Sequence, residues 1–281
     1  MQELPKERKI HTLASINSPF RYAGGKFYAR KLIAEHIPDH SVYCEPFAGG
    51  ASIFFFKEKV ERNILNDIDP DIMLVYRYLR DQPEELIKWL SGIPAKKELH
   101  NYYKNEFVIR SELDRVGRWY YLNRISYSGI MNMKNCYWGY GDKYSMRPEN
   151  WPNNIRKVSH KLQQVELLCE DFEVVIAKLP KDTFVFVDPP YYNADQDKFY
   201  QHYFSRQDHI RLSNVLKENS SRLKILLTYD NCDEVRELYQ WTSNIYDKEW
   251  NYCISRTDDQ VNHLERKGER KKGQEIFILN Y

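Results

Sequence analysis

The chain has 281 residues, with 42 Lys+Arg against 40 Asp+Glu for a formal net charge of +2, so it is long enough for an enzyme on one large domain and too evenly charged for a histone-like or tail-driven nucleic-acid binder. Aromatic residues make up 15% of it while only 11 Gly and 12 Pro interrupt it, which excludes a disordered or low-complexity chain. Cys44, Cys136, Cys169, Cys232 and Cys253 form no CxxC pair, and Pro38 separates His36 from His40, so neither a disulfide framework nor a metal site is expected.

The start, MQELPKERKI, is charged, and the most apolar runs (SIFFF, FVFV, KILL) fall far short of the roughly 20 residues that cross a bilayer. Residues 1–17 are expected to be a leader and the protein to be soluble and cytoplasmic. SPFRYAGGK follows, Ser18 to Lys26. A P-loop would need Gly where Phe20 stands and Ser or Thr where Phe27 stands, so phosphoryl transfer is not expected.

SVYC from Ser41 reads as a strand and runs into EPFAGGAS, where Gly49 and Gly50 allow a ligand to approach the backbone closely. NILN from Asn63 reads as a second strand, closed by NDIDPD with Asp67 and Asp69. A glycine turn after the first strand and a carboxylate after the second match the adenosine-binding arrangement of doubly wound sheets, although taken alone the turn is also an ordinary strand-to-helix connection. Helical spacing of Ile72, Val75, Tyr76 and Leu79 predicts a helix from Asp71 to Asp81, and Pro83 suits the first turn of another.

The alternation of strand and helix signals lapses between about Ser91 and Val165. That gap is too long for a simple connection and predicts a small, mostly helical subdomain inserted at 91–159, with residues 18–90 and 160–281 forming the main domain. From Arg118 to Lys157 seven basic residues stand against Asp142 and Glu149, a +5 in 40 residues that leaves the rest of the chain at −3. Nine Tyr and Trp residues lie in the same stretch. Rings interleaved with cations suit phosphate neutralisation and base stacking, and equally suit a subdomain that uses the rings as core and the charges for solubility.

Further strands are expected at VELLC, TFVFV, KILLTY, NIYDKEWNY and EIFILNY, and Ser205 with Asp208 forms a capping box ahead of Leu212, Val215 and Leu216. The most telling segment is FVFVDPPYY. An apolar strand buried on both faces ends in Asp188, Pro189, Pro190 and Tyr191, at the carboxyl edge where open α/β sheets bind ligands. An exocyclic amine such as adenine N6 is a poor nucleophile until acceptors hold its hydrogens. Asp188 offers a carboxylate, Pro189 a carbonyl, and Tyr191 a face for a flipped base, while the two prolines remove competing N–H donors.

In this order the motifs resemble those of the Dam-like DNA adenine-N6 methyltransferases, in which the cofactor motif precedes the target-recognition region and DPPY follows it. The similarity runs from Ser18 to Tyr281 through SPFRYAGGK, YCEPFAGGASIFF, NILNDIDPDI, WYYLNRISYSG, EDF, FVFVDPPYY, LLTYDN and EIFILNY. The resemblance implies a Rossmann-like α/β methyltransferase fold with a terminal antiparallel hairpin. It implies S-adenosyl-L-methionine held by Tyr22, Lys26, Glu45, Phe47, Gly49, Asp67, Asp171, Phe172 and Asp188, and catalysis by Asp188, Pro189, Pro190 and Tyr191.

It further implies double-stranded DNA as partner. The candidates for DNA contact in the insertion are Arg118, Asn123, Arg124, Lys134, Tyr137, Trp138, Lys143 and Arg147. The chain from Ser255 to Gly273 is a second candidate, through Arg266, Lys267, Arg270, Lys271 and Lys272, although its acidic residues nearly balance them and fit a solvated loop as well. A bacterial or phage origin, a monomer or weak dimer, and a separately acting restriction endonuclease complete the implied picture. The segment after Asn123-Arg124, SGIMNMKNCYWGYGDKYSM, departs from that of GATC-methylating members, so no GATC target is carried over. The competing readings are cytosine-N4 or another amine methylation, where Ser or Asn more often replaces Asp188, and an inactive DNA-binding homologue.

Overall fold

The structure, a computed structural model, describes residues 16–22, 24–141, 145–196, 202–251 and 272–281. Its centre is a sheet of β1 (Val42–Glu45), β2 (Arg62–Asn66), β3 (Val165–Leu168), β4 (Phe184–Val187), β5 (Lys224–Asp230), β6 (Asn244–Asn251) and β7 (Lys272–Leu279), in the order β3-β2-β1-β4-β5-β7-β6. The first five strands are parallel, and β7 runs antiparallel to both β5 and β6. This is the Rossmann-like methyltransferase arrangement with its terminal hairpin. The strand order reverses between β1 and β4, which opens a crevice at their carboxyl ends.

All four residues of β4 are buried. Phe184 and Phe186 join a cluster on one face of the sheet with Phe54, Phe55 and Tyr76, while Val185 and Val187 join a second on the other face with Leu227, Tyr229 and Ile276. The period-two alternation thus feeds two cores, which explains the unbroken apolar run.

Helices cover both faces: α1 (Arg30–Ala34), α2 (Ser52–Phe56), α3 (Pro70–Asp81), α4 (Pro83–Leu90), α5 (Lys97–Asn105), α6 (Glu112–Ile125), α7 (Trp151–Leu162), α8 (Phe172–Lys178), α9 (Arg206–Asn219) and α10 (Asp233–Leu238). Asp69 caps α3 by accepting from the Asp71 N–H, with Pro70 at the first turn, so this helix begins one residue before the position its apolar spacing predicts. The expected box at α9 is formed in full: Ser205 Oγ accepts from the Asp208 N–H and Asp208 Oδ2 from the Ser205 N–H.

The span without alternation contains α5, α6 and α7, joined by irregular chain. One hydrophobic cluster runs from the sheet through α3 and α4 into Val116, Trp119 to Leu122 and Ile125 of α6 and Trp151, Ile155 and Val158 of α7. Four of the nine rings in the basic stretch, Trp119, Tyr120, Tyr121 and Trp151, are therefore core, and base stacking is not their task. Tyr137 is 58% exposed. Among the described residues no helix is long and apolar enough to cross a membrane, and no cluster of His, Cys, Asp or Glu could hold a metal ion. Lys143, Cys253 and the segment with Arg266, Lys267, Arg270 and Lys271 lie outside the described residues.

Candidate active site

The turn after β1 is shaped by what must lie over it. Gly49 has φ 45°, and a Cβ there would stand 2.8 Å from the Tyr22 ring, so only glycine admits that ring. Three bonds fix the turn: Tyr76 Oη donates to the Gly49 carbonyl at 2.8 Å, the Gly49 N–H to Asp67 Oδ2 at 2.8 Å, and the Ala48 N–H to the Asn66 carbonyl at 2.7 Å. Asp67 Oδ1 accepts from the Asp69 N–H at 3.0 Å. Burial pushes the Asp67 carboxyl up to about 6 against those two backbone donors. Asn66, which the sequence reading passed over, ties the strand ends together. Its amide donates to the Pro46 and Glu170 carbonyls and accepts from the Glu170 N–H.

A cleft of about 900 Å³ opens at these strand ends and collects every residue assigned to the cofactor: Tyr22, Lys26, Glu45, Phe47, Gly49, Asp67, Asp171, Phe172 and Asp188 line it. One end is apolar, where the rings of Phe47, Phe172 and Phe204 lie 5.3 to 5.8 Å apart. There Asp171 caps α8 through the Glu173 N–H and receives Arg211 at 2.7 Å, while the Arg211 guanidinium lies 4.5 Å from the Phe172 ring centre. Phe204 and Arg211 carry no motif, and only the fold brings them here. An aromatic end, a buried carboxylate and a glycine turn under the Tyr22 ring suit an adenosine with an amino-acid tail.

Asp188, Pro189, Pro190 and Tyr191 follow β4 at the other end. Asp188, 20% exposed, receives Lys26 Nζ at 2.6 Å and Thr228 Oγ1 at 2.8 Å, and both contacts fall on Oδ1. Among the described residues no donor reaches its Oδ2 or the carbonyl of Pro189. Lys26, only 4% exposed, also donates to the Gly24 carbonyl and lies 4.8 Å from the centre of the Tyr191 ring. The lysine assigned to the cofactor therefore also holds the carboxylate that follows β4. No local pattern marks Thr228, since a lone threonine in KILLTY reads as strand filler.

Glu45 Oε1 accepts from Tyr43 Oη at 2.7 Å and from the Phe54 N–H at 2.8 Å, and burial pushes the carboxyl up to about 8 from an ordinary 4.5. Between those values the folded chain holds the proton more tightly than the unfolded one, so stability falls as pH rises through the window. Glu275, also pushed up to about 8 by burial, adds to the fall in the same direction. Glu45→Gln keeps an oxygen acceptor and removes one ionisation. Thermal midpoints taken between about pH 5 and pH 9 should decline less steeply for this variant than for the native chain, and equal slopes would contradict the burial argument.

The DNA candidates divide. Asn123 is fully buried, accepting from the Arg21 N–H and donating to the Arg21 and Gly129 carbonyls. Arg118 donates to the Tyr103 and Lys104 carbonyls. The polar groups of Asn123, and Nε and Nη2 of the half-buried Arg118, thus fasten backbone segments to α6. Arg124 is buried too and donates to the Pro19 carbonyl. Trp138 is half-buried beside His100 and Tyr140. Lys134, Tyr137 and Arg147 are exposed, with Lys104 Nζ 5.3 Å from the Tyr137 ring centre.

Comparison with known proteins adds sequence kinship to this geometry. A family model described as D12 class N6 adenine-specific DNA methyltransferase matches residues 22–254. The type II methyltransferase M.MjaIII of Methanocaldococcus jannaschii is 28% identical over 253 residues, covering 79% of this chain and 88% of its own. The type II methyltransferase M.CviBI of Paramecium bursaria Chlorella virus NC1A is 27% identical, covering 86% and 95%. A DNA adenine methylase of Vibrio cholerae is 23% identical, covering 78% and 83%.

Proposed function

The chain belongs to the D12 class N6 adenine-specific DNA methyltransferases, and from that membership we propose how its residues divide the work of moving a methyl group from S-adenosyl-L-methionine to adenine N6. The observation that carries the proposal is the asymmetric engagement of Asp188. Lys26 and Thr228 fix the carboxylate through Oδ1, which leaves Oδ2, with the carbonyl of Pro189, to accept the two hydrogens of the target amine.

The cofactor supplies an electrophilic methyl group on a cationic sulfur. Tyr22 and the turn at Gly49 would cradle its methionine end beside Glu45 and Lys26, Asp67 would hold the ribose hydroxyls, and Phe47, Phe172 and Asp171 would receive its adenine. The target adenine leaves the duplex, because its amine is inaccessible within the stack, and rests on the Tyr191 ring. Pro190 has no N–H to compete for the acceptors. The methyl group would pass to N6 as its bond to the cofactor's sulfur breaks and a neutral thioether leaves, and Asp188 would take up the proton the amine loses. Positioning and fixed charge do the catalysis, and no covalent enzyme intermediate is required.

The region 91–159 serves as the target-recognition unit, with Lys134, Tyr137 and Arg147 as its exposed candidates and Lys104 beside them. The relatives named type II methyltransferases support a role as the modification partner of a separate restriction endonuclease, and a cleft assembled within one chain supports action as a monomer. Expressing the chain in a host free of DNA methylation and sequencing native DNA in long reads tests this. N6-methyladenine at one defined sequence context is expected; unmodified DNA, or modification at cytosine, would refute the reading.

A further inference from the structure

The last strand brings a carboxylate under the active site. Glu275 of β7 pairs in register with Asp230 of β5, is 1% exposed, and accepts a hydrogen bond from Tyr191 Oη. The next residues on the same face of β7, Phe277 and Leu279, are core apolar side chains. An apolar residue at 275 would satisfy packing, so a buried carboxylate there carries a desolvation cost that packing does not explain. Asp230, across the ladder, accepts from the Tyr192 N–H at 2.9 Å, the Asn193 N–H at 3.0 Å and Asn193 Nδ2 at 3.1 Å. The β5–β7 pair thus holds three consecutive residues after Pro190.

We propose that Glu275 is a positioning residue for methyl transfer, which sets the tilt of the Tyr191 ring through its hydroxyl and thereby the plane on which the target base rests. The proposal rests on the assignment of Asp188 and Tyr191 made above. Lys26, Asp188, Asp230 and Tyr191 act on Glu275, and Lys248 of β6 is its register partner across the ladder. Burial opposes the ionised form most, the two aspartates add to that, and Lys26 and the Tyr191 hydroxyl favour it. The ring is gripped from two sides, by the hydroxyl bond to Glu275 and by Lys26 at 4.8 Å from its centre. Because Lys26 also holds Asp188, release of the hydroxyl disturbs the relation between the stacking face and the amine acceptors.

The test is single-turnover methyl transfer into unmethylated plasmid DNA by the full chain, with cofactor and DNA affinities measured alongside, for Glu275→Ala, Glu275→Gln, Tyr191→Phe and the Tyr191→Phe/Glu275→Ala pair. Glu275→Ala and Tyr191→Phe should each slow transfer roughly tenfold, with both affinities within about twofold of native, the expected signature of misplacement. The double variant should be no slower than the slower single, since both remove one bond. Glu275→Gln, whose carbonyl still accepts from the hydroxyl, should recover most of the rate. A native rate in Tyr191→Phe, multiplied losses in the double variant, or a Glu275→Gln as slow as Glu275→Ala would each overturn the proposal. Should Glu275→Ala not fold, Tyr191→Phe decides, because it removes the same bond and adds no charge or bulk. Asp188→Asn serves as the separate control: its retention of activity would sink the underlying assignment, whatever Glu275 does.

Discussion

Asp188→Asn should lower methyl transfer by about a thousandfold or more, while cofactor affinity, to which Asp188 is also assigned, falls far less and DNA affinity stays near native. The amide keeps the shape of the side chain. It loses the negative charge that faces Lys26 at 2.6 Å, and it offers an N–H where the target amine needs an acceptor or where Lys26 and Thr228 now donate. The loss falls on the transition state, in which N6 gains positive charge, and so on the rate more than on binding. Asp188→Ala is the poorer probe. It strands the Lys26 ammonium, 4% exposed, without its partner. Removing one member of a buried pair costs about 3 to 5 kcal/mol, and the 20% exposure of Asp188 places this case at the lower end. Rapid-mixing kinetics with separately measured affinities distinguishes the two variants. A native-like rate in Asp188→Asn would remove the carboxylate from the chemistry.

Gly129→Ala should be among the most damaging single methyl additions in the protein. A Cβ there would stand 2.0 Å from the Arg21 carbonyl oxygen and 2.6 Å from its carbon, and the residue has φ 69°. Neither neighbour is the tip of a flexible side chain. Relief requires the chain around Arg21 to leave α6, breaking the bonds from Asn123 to Arg21 and from Arg21 Nη1 to the Ser126 carbonyl. A loss of about 3 kcal/mol in chemical denaturation is expected. Cofactor affinity should fall with it, because the adjacent Tyr22 covers Gly49. Gly92→Ala is the matched control. Its φ is 75° but no atom lies within 4 Å of the added carbon, so only left-handed strain of about 1 kcal/mol remains. Equal losses in the two variants would contradict the packing account.

What the sequence disclosed followed the reach of local rules. The strands of the sheet were legible because two buried faces demand unbroken apolar runs, as in FVFV, and the α9 cap because Ser205 and Asp208 bond within one turn. Asp67 and Asp188 were legible because each stands just past a strand end, where the fold puts ligands. The 91–159 region reads as mostly helical, but no apolar period bounds α6 within it. Val116, Gly117 and Trp119 to Ile125 are all buried, and burial on every side erases the amphipathic signal. Composition likewise could not say which rings of the basic stretch face inward, and Trp119, Tyr120, Tyr121 and Trp151 do. The polar residues that act across the sheet were the least visible. Thr228 meets Asp188 from 40 positions away and Glu275 meets Tyr191 from 84, and no local pattern marks either.

The proposed presentation of Asp188 and the Pro189 carbonyl to an adenine amine can be read out by incubating purified protein with S-adenosyl-L-methionine labelled in its methyl group and unmethylated DNA, then digesting the DNA to nucleosides. All label should appear in N6-methyldeoxyadenosine, and none should appear with Asp188→Asn. Label in a methylated cytosine, or label transferred equally well by the variant, would contradict it.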